Sequence, residues 1–483
     1  MGQWLQLASC DLLMLLPVGT MSPGQASPYS ACSAMSIDPI YLSLPVMEDF
    51  ARAGGVDGLP GQMRHCLEAA RASGRVRVAD VRRVKDAALT MAFERFVRDE
   101  WNDHTVRAGE FAAFMSRERW WLDDYALFQA CVAKWPGGSW RDWPRPIARR
   151  EPEAMSEARR HFSHRILFEQ YVQWMAGLQW QSARYALHAC GVSLFGDMPF
   201  VVDAHSADVW ARQDEFLMEV SVGAPPDAFS ETGQDWGLPM YRWDRIHRSD
   251  FAWLRQRGRR MASLYDGFRV DHLVGFFRTY GRTAAGERFF LPPDEPTQVW
   301  QGEQIMRVFL ESGVVVVAED LGTVPDVVRA SIAHLGVGGY KVLRWERAWH
   351  LPGRPFVNPA EYPFRSVATT GTHDTEPVAV WWDQGVPEDR HALIELLHRA
   401  GAGAWDPAAS WSDGLRDAII RLMATAASEY VLFPIQDVFG WRDRINTPGT
   451  IGDHNWTWQV PVPTDAWQQD ARTVERAAFL RGL

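Results

Sequence analysis

The chain carries three short apolar stretches that each run into a carboxylate: FRVD at 268–271, VVVVAE at 314–319 and VATTGTHD at 367–374. A continuous Val-rich run is typical of a strand buried in a parallel sheet, and an acid just beyond it lies where α/β barrels place their chemistry. Asp also caps helices and favours turns, so one such acid alone has an ordinary structural explanation. Three acids on one rim instead suit cleavage of a glycosidic bond, which uses a proton donor, a carboxylate nucleophile and a group that holds the sugar.

Seven apolar runs predict strands, and the later ones alternate with helical patterns. The runs are 12–17 (LLMLLP), 192–199 (VSLFGDMP), 265–271 (YDGFRVD), 313–319 (GVVVVAE), 339–345 (GYKVLRW), 366–372 (SVATTGT) and 430–436 (YVLFPIQ). Alternation of strand and helix gives a parallel sheet, and eight such units close a barrel. We therefore expect the α/β class and a (β/α)8 TIM-type barrel. Its first strand, which should precede Leu12, is expected to be missing.

The 483 residues are expected to form a barrel interrupted by an insertion. Residues 1–44 would start the barrel, 45–189 would form a mostly helical inserted subdomain, and 190–483 would complete the catalytic barrel. Within the last part, residues 220–243 are an irregular stretch rich in Gly and Pro that is too long for a plain connector. Long loops in compact domains are usually functional, so we expect an active-site loop there.

Composition and charge narrow the classes of ligand. A net charge of −10 argues against nucleic acid and anionic membranes as partners and for a neutral or cationic ligand. The 24 tryptophans slightly favour a sugar ligand, although most of them are expected in the core. Five scattered cysteines without CxxC spacing indicate reduced thiols in a cytoplasmic protein and no zinc site. The apolar run at 12–18 is far too short to span a bilayer, and no cofactor is expected.

Two of the acids have neighbours that suggest distinct roles. Arg269 and Asp271 lie two residues apart on one strand, so their side chains are expected on the same face. The guanidinium would hold the carboxylate ionised, as a covalent nucleophile requires, although a purely structural pair is the alternative. Glu319 follows four valines, and burial together with the charge of Asp271 would keep it protonated as a general acid. Asp320 is expected to point to the opposite side and to cap the next helix.

Asp374 supplies a third carboxylate, with the imidazole of His373 beside it. Hydrogen bonds from this carboxylate to hydroxyls of a distorted sugar ring would stabilise an oxocarbenium-like transition state. A His–Asp pair could instead bind a metal. Because no second cluster has the spacing of metal ligands, no metal is expected.

Six motifs, taken in order, resemble those of one known family. They are SPYS (27–30), SADVW (206–210), PPDAFSETGQDWG (225–237), FRVDH (268–272), AEDLG (318–322) and TGTHD (370–374). Over about residues 3–459 the chain is similar to the 4-α-glucanotransferases of glycoside hydrolase family 77, also called amylomaltases or disproportionating enzymes, which are relatives of the α-amylases. The resemblance implies transfer of a segment of an α-1,4-glucan to the 4-hydroxyl of an acceptor glucan or glucose by a retaining double displacement. Maltooligosaccharides and α-1,4-glucans would be donor and acceptor.

The resemblance also implies roles for individual residues. Asp271 matches the family's nucleophile, Glu319 its acid/base and Asp374 its transition-state stabiliser. The residues that match substrate-contacting positions are Arg269, His373, Tyr29, Asp227, Phe229, Trp236 and Asn446. Three of these, Asp227, Phe229 and Trp236, fall on a loop over the acceptor side that would favour a sugar over water as acceptor.

The chain departs from the family in two places. The family has a strand and a helix before the segment that opens this chain, so either a start codon is assigned too late or the protein is shortened, which would expose an unpaired sheet edge. His205 stands where relatives more often carry Asp. Two alternatives are therefore kept open: a mainly hydrolytic α-glucan hydrolase with the same acids, and a non-catalytic glucan-binding relative inactivated by N-terminal truncation.

Overall fold

All seven strands that the sequence predicts are present. The structure, a computed structural model, describes residues 1–226, 232–450 and 452–483. Its strands are β1 (Leu12–Met14), β2 (Ser193–Met198), β3 (Phe216–Ala224), β4 (Gln234–Tyr241), β5 (Gly267–Val270), β6 (Thr279–Thr283), β7 (Arg288–Leu291), β8 (Val315–Ala318), β9 (Gly339–Val342), β10 (Ser366–Thr369) and β11 (Tyr430–Leu432).

Helices account for most of the remaining regular structure. They are α1 (Gly2–Leu7), α2 (Glu48–Arg52), α3 (Gly55–Gly58), α4 (Gly61–Arg71), α5 (Val78–Phe96), α6 (Val106–Lys134), α7 (Arg145–Ala148), α8 (Pro152–His161), α9 (Ser163–Ala189), α10 (Ala207–Ala211), α11 (Trp243–Arg248), α12 (Ala252–Leu264), α13 (Val274–Phe277), α14 (Glu295–Leu310), α15 (Asp326–His334), α16 (Val378–Gln384), α17 (Pro387–Arg399), α18 (Asp413–Ala424), α19 (Ile435–Phe439) and α20 (Ala471–Arg481). None of the helices in the described part of the chain is both long and apolar enough to cross a membrane.

The predicted strands form two parallel sheets that continue into each other. One has the order β1-β2-β5-β8 and the other the order β9-β10-β11. A parallel bridge between Val317 of β8 and Gly338, just before β9, connects them. The rings of Phe195 in β2 and Tyr430 in β11 lie 5.4 Å apart, so side chains from distant strands of the series meet. The α/β class is confirmed, and the strand series is consistent with a barrel.

The segment before β1, where the sequence predicts a missing strand, contains helix α1. Trp4 of this helix is buried, with its ring centroid 5.0 Å from that of Trp467 and 5.8 Å from that of Phe439. Its Nε1 donates to the carbonyl oxygen of Thr473 in α20 at 2.8 Å. Helix α1 thus packs against the C-terminal helix and shares an apolar cluster with Leu13 of β1.

The parallel register brings two of the predicted acids to one rim. Val270 of β5 is paired with Ala318 of β8, and the residues that follow are Asp271 and Glu319. The backbone N–H of Glu319 donates to the carbonyl of Val270 at 3.0 Å, which extends the ladder by one bond. The third acid, Asp374, follows β10 by five residues.

Asp320 does not cap the next helix, so that expectation is wrong. Helix α15 begins after Pro325 and has no side-chain cap. The Oδ1 of Asp320 instead accepts the backbone N–H of Tyr340 at 2.7 Å, which ties the end of β8 to β9. A buried backbone donor at the junction of the two sheets is satisfied in this way.

The interval between β1 and β2 contains helices α2 to α9. Their core includes one buried carboxylate, Asp49 of α2, which accepts bonds from three other helices. The donors are Arg95 Nη1 of α5 at 2.7 Å, Arg107 Nη1 of α6 at 2.6 Å and the Tyr171 hydroxyl of α9 at 2.7 Å. Because breaking a buried ion pair is costly, this cluster fixes the four helices relative to one another.

Within residues 220–243, the described parts, 220–226 and 232–243, are more regular than the sequence predicts. Most of them belong to β3 and β4, which pair antiparallel in a sheet of order β4-β3-β6-β7. Val220 and Val222 are both buried on one face of β3, the alternation of a strand with one covered face. Gly223 lies so close to Gln234 that a Cβ would collide with the Gln234 carbonyl. This glycine therefore marks a close backbone approach in a hairpin and not an irregular loop.

Candidate active site

Arg269 is the centre of the strand-end rim, and its guanidinium contacts three carboxyl groups. Its Nη1 donates to Asp197 Oδ1 at 2.8 Å and Oδ2 at 2.7 Å, and lies 2.9 Å from Asp271 Oδ1. Its Nη2 lies 3.7 Å from Glu319 Oε2. The three carboxyls come from adjacent strands, because β5 pairs with β2 on one side and with β8 on the other.

Glu319 is a largely buried carboxyl, with 14% of its side chain exposed, and its pKa is raised to about 7. Burial is the main cause, and the negative charge of Asp271 adds to it. Arg269 and the backbone N–H groups of Leu321 and His272 oppose the shift; these two N–H groups donate to Glu319 at 3.0 and 2.9 Å. The carboxyl is therefore partly protonated near neutrality and held in a fixed orientation, as a general acid requires.

Asp197, in β2, belongs to the site although the sequence did not single it out. Its side chain is only 2% exposed, and its charge is matched by Arg269. The Tyr29 hydroxyl donates to Asp197 Oδ2 at 2.6 Å, and burial raises the pKa of Tyr29 so that the phenol keeps its proton. The available signal was an acid inside the apolar run VSLFGDMP, because a buried charge needs a partner.

Asp374 lies in the loop after β10 and is partly open to solvent, with 45% of its side chain exposed. Asn446 Nδ2 donates to its Oδ1 at 2.6 Å, and Arg444 Nη2 donates to its backbone carbonyl at 2.6 Å. His373 Nε2 lies 3.5 Å from Asp374 Oδ2. The carboxylate is therefore oriented by the 444–446 segment, while one side stays available to a ligand.

The rings of Tyr29, His373 and Trp456 form an aromatic wall. Tyr29 contacts Asp197 at one end of this wall, and His373 lies beside Asp374. Tyr29 stacks on His373 with centroids 5.1 Å apart, and Trp456 lies 5.8 Å from Tyr29 and 5.7 Å from His373. Trp456 has a φ of +62°, which is a strained backbone conformation for a bulky residue. Its backbone N–H donates to the Ile445 carbonyl at 2.8 Å. No sequence pattern distinguishes this tryptophan from the other 23 as a site residue.

Trp236, on β4, approaches the rim through His272, the residue after Asp271. The two rings are 4.7 Å apart, edge to face. Burial lowers the pKa of His272 to about 4, so its ring is neutral and adds no charge beside Asp271. The other two residues expected on this side, Asp227 and Phe229, lie outside the described residues.

His205 has a structural explanation. Its Nδ1 accepts the backbone N–H of Trp140 at 2.7 Å, and the Trp140 indole donates to the Ala204 carbonyl at 2.9 Å. Burial lowers the pKa of His205, which favours the neutral ring and leaves Nδ1 without a proton, as an acceptor requires. An Asp at position 205 could accept the same N–H. His205 therefore preserves a hydrogen bond between the segment preceding α7 and the loop after β2.

The strand-end rim combines an ion-paired carboxylate, a carboxyl that titrates near neutrality, a third carboxylate and stacked rings. No group of three or more His, Cys, Asp or Glu side chains among the described residues could hold a metal ion. Paired carboxylates at the carboxyl ends of parallel strands are typical of enzymes that act on glycosidic bonds. Within that class, the chain belongs to the glycoside hydrolase family 77 of 4-α-glucanotransferases, whose family model matches residues 1–464.

Relatives from bacteria and plants agree with this assignment. The 4-α-glucanotransferase of Thermus thermophilus is 32% identical over 469 residues, which cover 92% of this chain and 86% of the relative. That of Chlamydia pneumoniae is 27% identical over 95% of this chain and 85% of its own length. The chloroplastic/amyloplastic 4-α-glucanotransferase of Solanum tuberosum is 30% identical over 97% of this chain and 79% of its own.

Solved structures support the same fold. The amylomaltase of Streptococcus agalactiae, in complex with acarbose, superposes with a TM-score of 0.81 at 23% identity and covers 100% of this chain and 92% of its own. The amylomaltase of Corynebacterium glutamicum gives a TM-score of 0.80 at 21% identity, over 99% of this chain and 71% of its own. Membership of the family supports glucan transglycosylation and favours neither the hydrolytic nor the non-catalytic alternative.

Proposed function

We propose that the protein transfers a segment of an α-1,4-glucan to the 4-hydroxyl of another glucan or of glucose by a retaining double displacement. One observation carries this proposal: Arg269 touches Asp271 at 2.9 Å, while the neighbouring Glu319 has a pKa of about 7. Two carboxyls in such different environments suit the two roles that the reaction needs, a nucleophile and an acid/base.

In the first step, Asp271 attacks C1 of the sugar at the cleaved bond. Glu319 gives its proton to the leaving glycosidic oxygen, and a covalent glycosyl ester forms on Asp271. In the second step, the Glu319 carboxylate takes the proton of an incoming 4-hydroxyl. That oxygen attacks C1 and releases Asp271, so the anomeric configuration is retained.

Asp374 stabilises the transition state by accepting hydrogen bonds from sugar hydroxyls while the ring flattens. Its fixed orientation supports this role, because Asn446 holds the carboxylate oxygen at 2.6 Å. Tyr29 and His373 offer a stacked aromatic surface beside the cleaved bond, and Arg269 keeps the anionic groups in register.

Trp236 belongs to the acceptor side, where the family resemblance also implies roles for Asp227 and Phe229. An aromatic surface there binds an acceptor sugar and displaces water, which favours transfer over hydrolysis. The contact of Trp236 with His272, next to the nucleophile, supports this placement.

We also propose a division of the chain into domains, a class of substrate and a cellular location. Residues 1–44 start the barrel, 45–189 are a helical insertion and 190–483 complete the catalytic part; the run of helices α2 to α9 supports the division. The substrates are maltooligosaccharides. The protein works in the cytoplasm, and its five cysteines, none of them in a disulfide, support that location.

The test is to incubate the protein with maltotriose, with and without added glucose, and to resolve the products by chain length. We expect glucose and a ladder of longer maltooligosaccharides, with almost no gain in reducing ends. A rise in reducing ends in step with substrate loss would identify a hydrolase instead. No products at all would support the binding-only alternative.

A further inference from the structure

The segment between β9 and β10 leaves the sheet between the two strands that lead to Glu319 and Asp374. In the strand series, β9 lies between β8 and β10. The connection of residues 343–365 therefore rises from the same rim as the catalytic carboxyls. Loops at this end of parallel strands are where such folds bind ligands.

Part of this connection is a small hairpin, residues 347–356. Arg347 and Phe356 form an antiparallel bridge, and the N–H of Ala348 donates to the Pro355 carbonyl at 2.9 Å. The Arg347 guanidinium lies over the Phe356 ring at 3.9 Å and donates to Asp389 of α17 at 2.5 Å. The hairpin is thus anchored at its base.

At its tip the hairpin exposes large apolar side chains. Trp349 is 63% exposed and Leu351 is 46% exposed. The Arg354 guanidinium lies 5.5 Å from the Trp349 ring centroid, so the indole is oriented by a neighbour and not by the core. The hairpin thus presents an exposed indole and a guanidinium side by side on the rim of the sheet.

A chain of contacts joins the hairpin to the catalytic rim. Glu376, two residues after Asp374, accepts from Arg344 Nη1 at 2.6 Å. The Arg344 guanidinium lies 5.5 Å from the Trp381 ring, which is 6.4 Å from Phe356 of the hairpin. These contacts connect the base of the hairpin to the segment that carries Asp374.

We propose that Trp349 and Arg354 form a remote binding platform for the pyranose rings of long α-1,4-glucans. The indole face stacks on the apolar C–H face of a sugar ring, and the guanidinium donates hydrogen bonds to its hydroxyls. This inference rests on the proposed function, because only a polymer bound at the catalytic rim reaches a second contact beyond it.

The test compares Trp349→Ala with the wild type on two substrates, maltotriose and amylose. We expect the ratio of kcat/KM for amylose to that for maltotriose to fall about fivefold to tenfold, the size expected of one exposed aromatic contact. Migration in gels that contain amylose should speed up, and Trp349→Phe should restore both properties. Tyr185→Ala is the matched control, because Tyr185 is 77% exposed on α9, whose end leads into the opposite end of β2.

Each of the other outcomes would contradict the proposal that Trp349 and Arg354 bind long glucans. An unchanged ratio, or an equal loss with both substrates, would mean that Trp349 does not select long glucans. A change in oligomeric state without a change in the ratio would identify the hairpin as a protein contact. Failure of the proposed function is distinguishable, because the wild type itself would then not disproportionate maltotriose.

Discussion

Replacing Glu319 by Gln separates the chemical role of this residue from its effect on stability. The pKa of Glu319 is raised from 4.5 to about 7, mainly by burial. At about 1.4 kcal/mol for each pKa unit, ionising this carboxyl costs the folded state about 3 kcal/mol. Because the folded pKa lies above the unfolded value, the stability linked to the bound proton is complete below about pH 4.5 and is lost as the pH rises through about 7.

The Gln side chain carries no titrating proton, so the variant should lose this pH dependence. Its single carbonyl oxygen satisfies only one of the N–H donors of His272 and Leu321, at a cost of about 1 kcal/mol. We therefore expect Glu319→Gln to be less stable than the wild type by about 1 kcal/mol at pH 4.5, and more stable by about 2 kcal/mol at pH 9.

Urea unfolding at both pH values measures this crossover, with Glu361→Gln, a change at an exposed site, as the control. Turnover of maltotriose should fall by about 10²- to 10⁴-fold in Glu319→Gln, the usual contribution of a general acid/base. If the unfolding free energy of the variant depends on pH as in the wild type, a group other than Glu319 carries the linked proton.

Three further changes test neighbouring contacts. Asp271→Asn should lower turnover of maltotriose by roughly a thousandfold or more while sugar binding, followed by tryptophan fluorescence, persists; substantial residual turnover would remove Asp271 from its role. Asp197→Asn should lower the free energy of unfolding by about 3 kcal/mol, because it leaves the buried Arg269 without its main partner; an unchanged urea midpoint would contradict this. Asn446→Ala removes the 2.6 Å bond to Asp374 and should lower kcat/KM by about tenfold to hundredfold, and kinetics within twofold of the wild type would show that the bond is not needed.

The parallel strands were predictable because their signal is local. A Val-rich run followed by an acid needs no knowledge of distant residues, and β8 ends one residue before Glu319 as the sequence indicates. The contact between Arg269 and Asp271 follows from the two-residue period of a strand. The pairing of β3 with β4 was not predictable in this way. In the sequence, Gly223 indicates a loop, and only the structure shows that it lies against the backbone of Gln234.

Asp197 and Trp456 were missed for a related reason. The partners of Asp197 are Tyr29, 168 residues away, and Arg269, 72 residues away, so only the sheet order brings them together. Trp456 reaches the aromatic wall through a backbone conformation with positive φ, which nothing in the pattern HNWTW indicates. Site residues defined by contacts across the fold need the tertiary structure, whereas residues defined by their place on a strand do not.

In the proposed mechanism, Asp271 carries the sugar and Glu319 transfers the proton. The most direct measurement treats Glu319→Gln with α-maltosyl fluoride, whose leaving group needs no protonation, and locates any adduct by peptide mass spectrometry. We expect a trapped maltosyl ester on Asp271, because the first step proceeds and the second lacks its base. An adduct on Asp374 or Asp197, or rapid turnover with no adduct, would contradict it.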